Sequence, residues 1–533
     1  MPQASPPNPE SHLETIDRNE ELARKRAHAL DMGGAAKLER TRQRGALNAR
    51  ERIARLVDDG SFFELGMLAH SDVPGMEART PADGKIVGMG RIDARPVLVK
   101  ADDVTVLAGA GGRIGSQKSK NAVQFAVDKG YPIVNLGEAG GARLPDIQGS
   151  DGLSSMTVGT TLSMRKRQVP MASAILGECF GSPSWHAAFS DFVVQLKGSC
   201  MAVSGPRVLE IATGEKVGNE ELGGWKLHAT VTGLVDMAAD TEDQCLALIR
   251  EFLGFLPSNS QQLPPRATPE TAESASPRQA KLMTMVPEAS RRAYDMREVV
   301  RTLVDGQHLF ELKPLFDRSV ITCLARIDGH PVGIIATNPM FSAGAMGPDG
   351  CAKCTSFICL CDSFNIPLVF LHDTPGFFVG KSAELRGMPG KIINFIEALS
   401  QATVPKVAVV VRKSYGMAYG NLAGPGMGAD FVFAWAGADI SFMSRDVAVN
   451  VISPVDETTS AEVQAEQALR RETLREELHT TSAPWRAAGL GYLDDVIRAD
   501  QTRQVLIDSL AMARGTRHNG LSEHALAGWP TSF

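Results

Sequence analysis

The chain has 533 residues, of which 43% are hydrophobic and 22% charged, and its formal net charge is -6. The length predicts more than one domain, and the acidic balance disfavours a general nucleic-acid or membrane-surface binder. No apolar run reaches the roughly 20 residues that a transmembrane helix needs. The opening stretch, MPQASPPNPESHLE, lacks the basic and apolar regions of a secretory signal peptide. We therefore expect a cytoplasmic protein with no membrane and no nucleic-acid partner.

The first half of the chain alternates short β-rich runs with helical patterns. The stretches RPVLVKADD, from Arg95, and YPIVNLGE, from Tyr131, predict buried strands, and the segment GSQKSKNAVQFAVDKG between them predicts a helix. The run VPMASAIL, from Val169, predicts the next strand. This alternation is typical of an α/β fold with right-handed crossovers. Ligands in such folds bind at the carboxyl ends of the strands.

A stretch rich in Pro, Ser, Gln and Ala divides the chain near its middle. That composition is typical of a linker, which we assign to residues 257–285. The predicted organisation is an N-terminal lead and helix over residues 1–35, a first domain over 36–256, the linker, and a second domain over 286–533.

The two sides of this linker repeat each other. Arg91 has a counterpart 326 − 91 = 235 residues later, at Arg326, and Pro132 and Pro170 are matched at the same shift. Asp191 is matched by Asp430, where the shift is 430 − 191 = 239, so the second copy has gained four residues. Ordered anchors at constant spacing predict two copies of one α/β domain.

Four of the eight cysteines crowd into CAKCTSFICLC, which begins at Cys351. A zinc ribbon usually has two CxxC pairs separated by a longer loop, whereas here the second pair is CxC after only four residues. The segment predicts a buried helix in which the thiols act as small hydrophobic groups. No metal is expected in this chain.

Two runs of small residues lie where a predicted strand turns into a helix. Unpaired backbone N–H groups at such a turn point outward and can stabilise a developing oxyanion. The alternative for either run is a tight turn with close packing, but one run in each half of a duplicated chain favours the oxyanion interpretation. The runs contain Gly140, Gly141 and Ala142 in EAGGAR, and Gly416, Met417 and Ala418 in RKSYGMAYG.

The common motifs for a serine nucleophile (GxSxG), a phosphate-binding loop (GxxxxGK[ST]) and a zinc protease (HExxH) are all absent. The two runs of small residues are therefore the leading candidates for the catalytic site. The run AGAGGRIG, which contains Gly112, has uneven glycine spacing. It indicates a mobile loop beside a bound ligand rather than a dinucleotide site. His186, His228 and His372 lie near strand ends and are interpreted as structural histidines with satisfied hydrogen bonds.

Several motifs together carry a family resemblance: NARERIARLVDDGSFFELG, EAGGARL, ELGGWKLHATVTGLVD, DTPGFFVG, ATVPKVAVVVRKSYGMAYG and LGYLDDVI. From about Leu38 to about Arg514, the chain resembles the carboxyltransferase (β) subunit of biotin-dependent acyl-CoA carboxylases, propionyl-CoA carboxylase type. The resemblance implies an α/β fold made of a tandem duplication of two crotonase-like (ClpP/crotonase) β-β-α superhelix domains.

The resemblance also implies a reaction in which CO2 moves from carboxybiotin to the α-carbon of an acyl-CoA through a thioester enolate. One backbone oxyanion hole would hold the biotin carbonyl and the other the thioester carbonyl. The chain has no AMKM-like biotinylation motif, so biotin is expected on a separate carrier chain. The implied partners are a biotin carboxylase and a biotin carboxyl carrier subunit, and the implied assembly is a hexamer, a trimer of dimers.

The substrate-binding residues implied by the resemblance are Gly112, Arg143, Gly376, Phe377, Tyr419 and Gly420. Arg143 either orients a carboxylate or a CoA phosphate, or pairs with Glu138 or Asp146 to brace its loop.

The departures from the family pattern cluster around the predicted site. Met417 stands where a second glycine is common, Gly420 replaces an acidic residue, and the bulky Trp185 and His186 occupy a loop that is usually small. These changes predict a divergent substrate or the decarboxylase direction. A non-catalytic scaffold is the remaining alternative.

Overall fold

The computed structural model describes residues 17–155, 165–455, 460–515 and 517–533. Each half of the chain folds around one eight-stranded sheet. The strands of the first half are β1 Phe63–Leu65, β2 Lys85–Ile92, β3 Arg95–Asp102, β4 Ile133–Ala139, β5 Met171–Phe180, β6 Phe192–Leu196, β7 Cys200–Ala202 and β8 Met237–Ala239. Those of the second half are β9 Leu309–Leu312, β10 Val320–Ile327, β11 His330–Thr337, β12 Leu368–Thr374, β13 Lys406–Tyr415, β14 Phe431–Trp435, β15 Asp439–Ser441 and β16 Asp495–Ile497.

The two sheets share one topology. The first has the order β1-β2-β3-β4-β5-β6-β8, with β7 paired to β5, and the second runs β9-β10-β11-β12-β13-β14-β16, with β15 paired to β13. In each sheet the first three strands are antiparallel and the remaining pairs are parallel. The predicted duplication and the predicted α/β fold are both confirmed.

Helices cover the parallel part of each sheet. Between β3 and β4, the helix Arg113–Lys129 ends at Gly130, whose φ of 71° gives it a left-handed cap. In the first half the helices are Arg18–Leu30, Ala35–Gln43, Ala49–Leu56, Arg113–Lys129, Leu144–Ile147, Gly149–Ser154, Ser182–Ala188, Pro206–Thr213, Asn219–Gly223, Trp225–Leu227 and Glu242–Phe255. From residue 257 onward they are Ala272–Gln279, Leu282–Met285, Met296–Leu303, Pro348–Ser363, Lys381–Glu384, Met388–Gln401, Met417–Asn421, Arg445–Ile452, Ala461–Ser482, Pro484–Gly489 and Thr502–Ala513.

The two halves share a hydrophobic core. Phe192 of the first half stacks on Phe252 with ring centroids 4.8 Å apart, and both rings contact Phe310 of the second half. At the edge of this core, the Lys313 ammonium lies 3.1 Å from the Asp236 carboxylate. The halves are therefore joined by packing and charge as well as by the chain.

The predicted linker, residues 257–285, is ordered along the second half. It contains two short helices, and Leu282 is buried in the second hydrophobic core. The Nδ2 amide of Asn365 donates to the carbonyls of Ser260 and Gln262 at 2.7 and 2.8 Å. The stretch therefore packs against the second half as an ordered segment, which its composition does not predict.

The cysteine-rich stretch forms the predicted buried helix, Pro348–Ser363. All four of its thiols are buried, and burial raises the pKa of the Cys359 thiol to about 12. Within the described residues, no group of three or more His, Cys, Asp or Glu side chains is placed to hold a metal ion. None of the described helices is both long enough and apolar enough to cross a membrane.

Candidate active site

The first half contains a cavity of about 180 Å³ at the carboxyl ends of its central strands. Strands β3, β4 and β5 form its floor, and the helices Arg113–Lys129 and Ser182–Ala188 form two of its walls. Gly141 and Ala142, two of the predicted oxyanion residues, lie in its lining.

The corner after β4 leaves two backbone N–H groups available. The Gly140 amide donates to the Ala108 carbonyl at 2.9 Å, and the Arg143 amide donates to the Gly111 carbonyl at 2.8 Å. Between them, the amides of Gly141 and Ala142 have no acceptor among the described residues. Gly141 has a φ of 102°, which a residue with a side chain adopts only with strain. Of the three small residues, only the last two thus present free donors.

The structure favours the bracing role for Arg143. Its side chain is buried, and its Nε lies 2.6 Å from Asp146 Oδ1. A second ion pair joins its guanidinium to Asp83, while the nearby Glu138 pairs with Arg52 instead. The corner is therefore held by buried charge pairs of the strong, charge-assisted kind.

Gly112 makes this brace possible. It lies directly before the helix Arg113–Lys129, and a Cβ at this position would lie 2.6 Å from Asp146 Oδ2 and collide with the Arg143 guanidinium. The neighbouring Gly111 lines the cavity. Gly112, predicted as a substrate-binding residue, thus has a packing role beside the ion pairs of Arg143.

A second corner borders the same cavity, after β5. Gly181, with a φ of 68°, precedes the helix Ser182–Ala188, and both Gly181 and Ser182 line the cavity. The Gly181 amide donates to the Ala202 carbonyl at 3.2 Å, whereas the Ser182 amide has no acceptor in the described part of the chain. This corner is a donor site that the small-residue runs alone do not reveal, because only Gly181 and Ser182 are small before Pro183. The repeat could have found it, because 416 − 181 = 235.

The predicted corner of the second half has the same construction as this β5 corner. Gly416, with a φ of 60°, follows β13, and its amide donates to the Ser441 carbonyl at 3.0 Å. The amides of Met417 and Ala418 lack acceptors among the residues described. The Met417 side chain is 57% exposed and Ala418 is fully buried. The methionine side chain therefore points away from the protein interior and leaves the turn intact.

The two predicted corners are consequently not equivalent in the repeat. The counterpart of Gly141 is Gly376, since 376 − 141 = 235, and a backbone bridge joins Met346 to Phe377 as another joins Gly111 to Ala142. Each half therefore has a corner after its fourth strand and another after its fifth. The two corners predicted from small-residue runs are of the first kind in the first half and of the second kind in the second half.

Tyr419 and Gly420 lie in the short helix after Gly416. The Tyr419 hydroxyl is buried without a partner among the described residues, and burial raises its pKa to about 12. Its ring packs edge-on against His372 at 6.0 Å. A Cβ on Gly420 would meet Met427 at 3.5 Å, so the space that the glycine leaves is bordered by a methionine.

Two of the three predicted structural histidines have satisfied rings. His228 Nε2 lies 2.7 Å from the Met201 carbonyl oxygen, and His372 Nε2 lies 2.7 Å from that of Leu422. The prediction does not hold for His186, which lines the cavity and has no hydrogen-bond partner within the described ranges. Burial and the charges of Lys100 and Lys85 lower the pKa of His186 well below its usual value, so its imidazole is neutral at pH 7.

A family model for the carboxyl transferase domain matches residues 40–524. The chain belongs to the carboxyl transferase domain family. This carboxyltransferase is 35% identical over 513 residues to the methylmalonyl-CoA decarboxylase subunit alpha of Veillonella parvula, covering 95% of this chain and 98% of that one. It is 36% identical to the propionyl-CoA carboxylase carboxyltransferase subunit of Haloferax mediterranei, covering 94% and 97%.

The solved structure of transcarboxylase 12S, a hexamer described with methylmalonyl-coenzyme A and methylmalonic acid bound, matches this carboxyltransferase with a TM-score of 0.85. The identity is 33%, and the match covers 93% of this chain and 95% of that one. The resemblance read from the sequence and the predicted tandem crotonase-like fold are therefore confirmed.

Proposed function

We propose that this carboxyltransferase moves CO2 between biotin and the α-carbon of an acyl-CoA, as the carboxyltransferase component of a biotin-dependent assembly. The free backbone amides at its glycine corners are the observation that carries this proposal. Among the described residues they belong in the first half to Gly141, Ala142 and Ser182, and in the second half to Phe377, Met417 and Ala418.

The amides would act on a thioester oxygen as it gains negative charge. Paired N–H dipoles held in a fixed geometry stabilise such an oxygen without reorganisation, which is a large contribution to catalysis in acyl-transfer enzymes. The Arg143 brace keeps the corner after β4 in place while charge develops above it. No side-chain nucleophile is required, because the thioester enolate itself is the carbon nucleophile.

The corner of the second half suits the ureido oxygen of biotin, which accepts hydrogen bonds as a thioester oxygen does. When bound, biotin supplies the carrier for CO2 and the base for the α-proton. A carrier chain and a biotin carboxylase would be the partners, because this chain has no biotinylation motif of its own.

We also propose that the site is completed in an oligomer, by the first half of one protomer facing the second half of another. The helices Pro206–Thr213 and Arg445–Ile452 occupy equivalent places in the two halves, and Val208 and Val447 on them are 56% and 50% exposed. Each helix exposes a second apolar side chain one turn later, Ile211 and Val451, and adjoining exposed apolar side chains are typical of protein–protein contact surfaces. The hexamer known for transcarboxylase 12S supports the same arrangement here.

Running the reaction as a decarboxylation is a second candidate. The relative from Veillonella parvula is a methylmalonyl-CoA decarboxylase subunit alpha, and the same enolate and the same amide donors serve either direction. The scaffold alternative has less support, because the feature that suggested it, Met417, has an exposed side chain and a free amide.

A substitution that deletes one amide tests the proposal. Met417→Pro removes the N–H at the first position of a short helix, where proline fits the backbone. We expect the purified chain to decarboxylate methylmalonyl-CoA with free biotin, and Met417→Pro to slow that reaction roughly 10²- to 10³-fold.

The matched control is Met417→Gly, which removes the side chain and keeps the amide, and which should retain most of the activity. Wild-type activity in the proline variant would contradict an oxyanion role for this corner. A wild-type chain inactive with every acyl-CoA of a broad panel would favour the scaffold alternative.

A further inference from the structure

Three polar side chains form a row across the centre of the first sheet. Lys100 on β3 is in register with Asn135 on β4, and Asn135 is in register with Ser173 on β5. Residues in register on adjacent strands place their side chains on the same face. All three are buried, and all three line the cavity.

This row presents polar groups that the protein itself does not satisfy. The Lys100 ammonium has no hydrogen bond or ion pair with any described residue, although only 8% of the residue is exposed. Asn135 Oδ1 is also buried without a donor, and its Nδ2 donates to Ser173 Oγ at 3.1 Å. The unpartnered imidazole of His186 faces the same space, close enough to Lys100 for the ammonium to lower its pKa.

The nearest carboxylate does not neutralise Lys100. Asp102 Oδ1 accepts a hydrogen bond from Lys85 Nζ at 2.5 Å, and Asp102 Oδ2 accepts from the Glu138 amide at 3.3 Å. Burial lowers the pKa of Lys100 to about 8, with Asp102 opposing this shift and Lys85 adding to it. A buried cation without a close partner costs stability, so its presence in a cavity wall indicates a bound group that offsets the cost.

The second half shows that the fold does not require this row. Its residues 235 positions later are Ile335, Phe370 and Ala408, which keep the same register on β11, β12 and β13. All three are fully buried in the hydrophobic core. The polar row is therefore a property of the cavity of the first half and not of the scaffold.

The row lies some distance from the glycine corner. Asn135 precedes Ala139, the end of β4, by four residues, which is roughly 13 Å at about 3.3 Å per residue. An acyl chain longer than propionyl would extend from the Gly141 and Ala142 amides toward the part of the cavity that this row lines.

We propose that the cavity binds a CoA thioester whose acyl chain ends in a carboxylate, and that Lys100 is the cation that receives this carboxylate. The neutral imidazole of His186 donates a second hydrogen bond from its single N–H. Asn135 keeps its Nδ2 toward the Ser173 hydroxyl, because Ser190 Oγ donates to the His186 carbonyl and therefore accepts the single proton of Ser173. The second N–H of the Asn135 amide is the donor that it can offer to the carboxylate. This inference rests on the proposed function, since it requires an acyl-CoA in this cavity.

Binding of a matched pair of thioesters to the purified full-length chain tests the inference by titration calorimetry. Octanedioyl-CoA and octanoyl-CoA have the same chain length and differ at the distal end, which is a carboxylate in the first and a methyl group in the second. We expect the wild-type chain to bind octanedioyl-CoA at least about tenfold more tightly, as a charge-assisted hydrogen bond in a buried site permits.

Lys100→Met should abolish this preference and leave the affinity for octanoyl-CoA unchanged or higher. Lys129→Met is the charge-matched control, because Lys129 ends the helix that covers the cavity and lies exposed outside it. That variant should keep the wild-type preference. A Lys100→Met chain that still prefers octanedioyl-CoA would overturn the inference.

The wild-type result also separates the two proposals. Equal binding of the two thioesters would overturn the terminal carboxylate and leave the acyl-CoA carboxyltransferase proposal standing. Failure of the wild-type chain to bind either thioester would contradict the proposed function and this inference together. A third probe, ω-hydroxyoctanoyl-CoA, should bind less tightly than octanedioyl-CoA, and equal binding would contradict recognition of a negative charge.

Discussion

The two halves of this carboxyltransferase place polar side chains in one case and apolar side chains in the other at the same three strand positions. In the first half the row is Lys100, Asn135 and Ser173, beside a cavity, and in the second it is filled by apolar side chains inside the core. The backbone register is the same in both. A duplicated sheet thus allows one copy to use a position for ligand recognition while the other uses it for packing.

The corners of the two halves differ in a related way. In the first half, buried ion pairs of Arg143 with Asp83 and Asp146 hold the corner after β4. The residue 235 positions after Arg143 is Phe378, which is 42% exposed. The corner of the first half is therefore fixed within one chain. The exposed aromatic ring of the second half is available for contact with another molecule.

The largest expected effect comes from removing the apolar packing at the equivalent positions of the second half, Ile335, Phe370 and Ala408. Phe370→Ala deletes a fully buried ring and leaves a cavity in the core. We expect it to lower the free energy of unfolding by about 3–5 kcal/mol. Urea denaturation followed by circular dichroism would measure the loss. The comparison predicts that Asn135→Ala, the matched change in the first half, costs much less, and equal losses would contradict it.

Replacing Lys100 is expected to change the free energy of unfolding in the opposite direction. In the folded chain the pKa of Lys100 is lowered from 10.5 to about 8, so the unfolded chain binds the proton more tightly. Lys100→Met should therefore raise the free energy of unfolding at pH 7 by something on the order of 3 kcal/mol, at about 1.36 kcal/mol for each unit of pKa shift. Thermal and urea denaturation in the absence of ligand would measure this gain.

The pH dependence of that gain distinguishes charge from packing. Between pH 8 and 10.5 the unfolded chain holds the Lys100 proton and the folded chain releases it, so the stability of the wild-type protein rises with pH. The advantage of Lys100→Met should be complete below pH 8 and disappear as the pH approaches 10.5. A variant that is less stable than the wild type at pH 7 would show that Lys100 has a structural role.

The sequence predicted the duplicated fold and the location of the corners because both depend on local spacing. The 235-residue shift, the small residues after strands and the buried cysteine helix are all visible in one dimension. The ion pair of Arg143 with Asp83 is not predictable from local spacing, because the two residues are 60 positions apart in the chain. The predicted pairing of Arg143 with Asp146 is present, because three residues of separation place the two side chains on neighbouring turns of the chain.

The polar row could not be predicted from the strands alone. Parallel strands are buried on both faces, so the pattern around Lys100 does not reveal which face borders a cavity. Asn135 and Ser173 become neighbours of the lysine only through the register of β3, β4 and β5. Comparison of the two repeats would have found the row, since a lysine aligned with Ile335 and an asparagine aligned with Phe370 stand out in a duplicated core.

The smallest predicted effect is the pH dependence of ligand choice. Besides Lys100, the charged groups in the cavity lining are Lys85 and Asp102, which pair with each other, and Lys120. His186 is neutral at pH 7 because burial, Lys100 and Lys85 lower its pKa. Lys100, with a pKa of about 8, titrates between pH 7 and 9; Lys118, whose pKa is also about 8, donates to the Gly66 and Ala82 carbonyls and does not line the cavity. The preference for octanedioyl-CoA over octanoyl-CoA should fall roughly tenfold over this range, because only the protonated amine attracts the carboxylate. Titrations of both thioesters at each pH would measure the ratio, which should stay flat in Lys100→Met; a flat ratio in the wild-type chain would assign the preference to uncharged contacts.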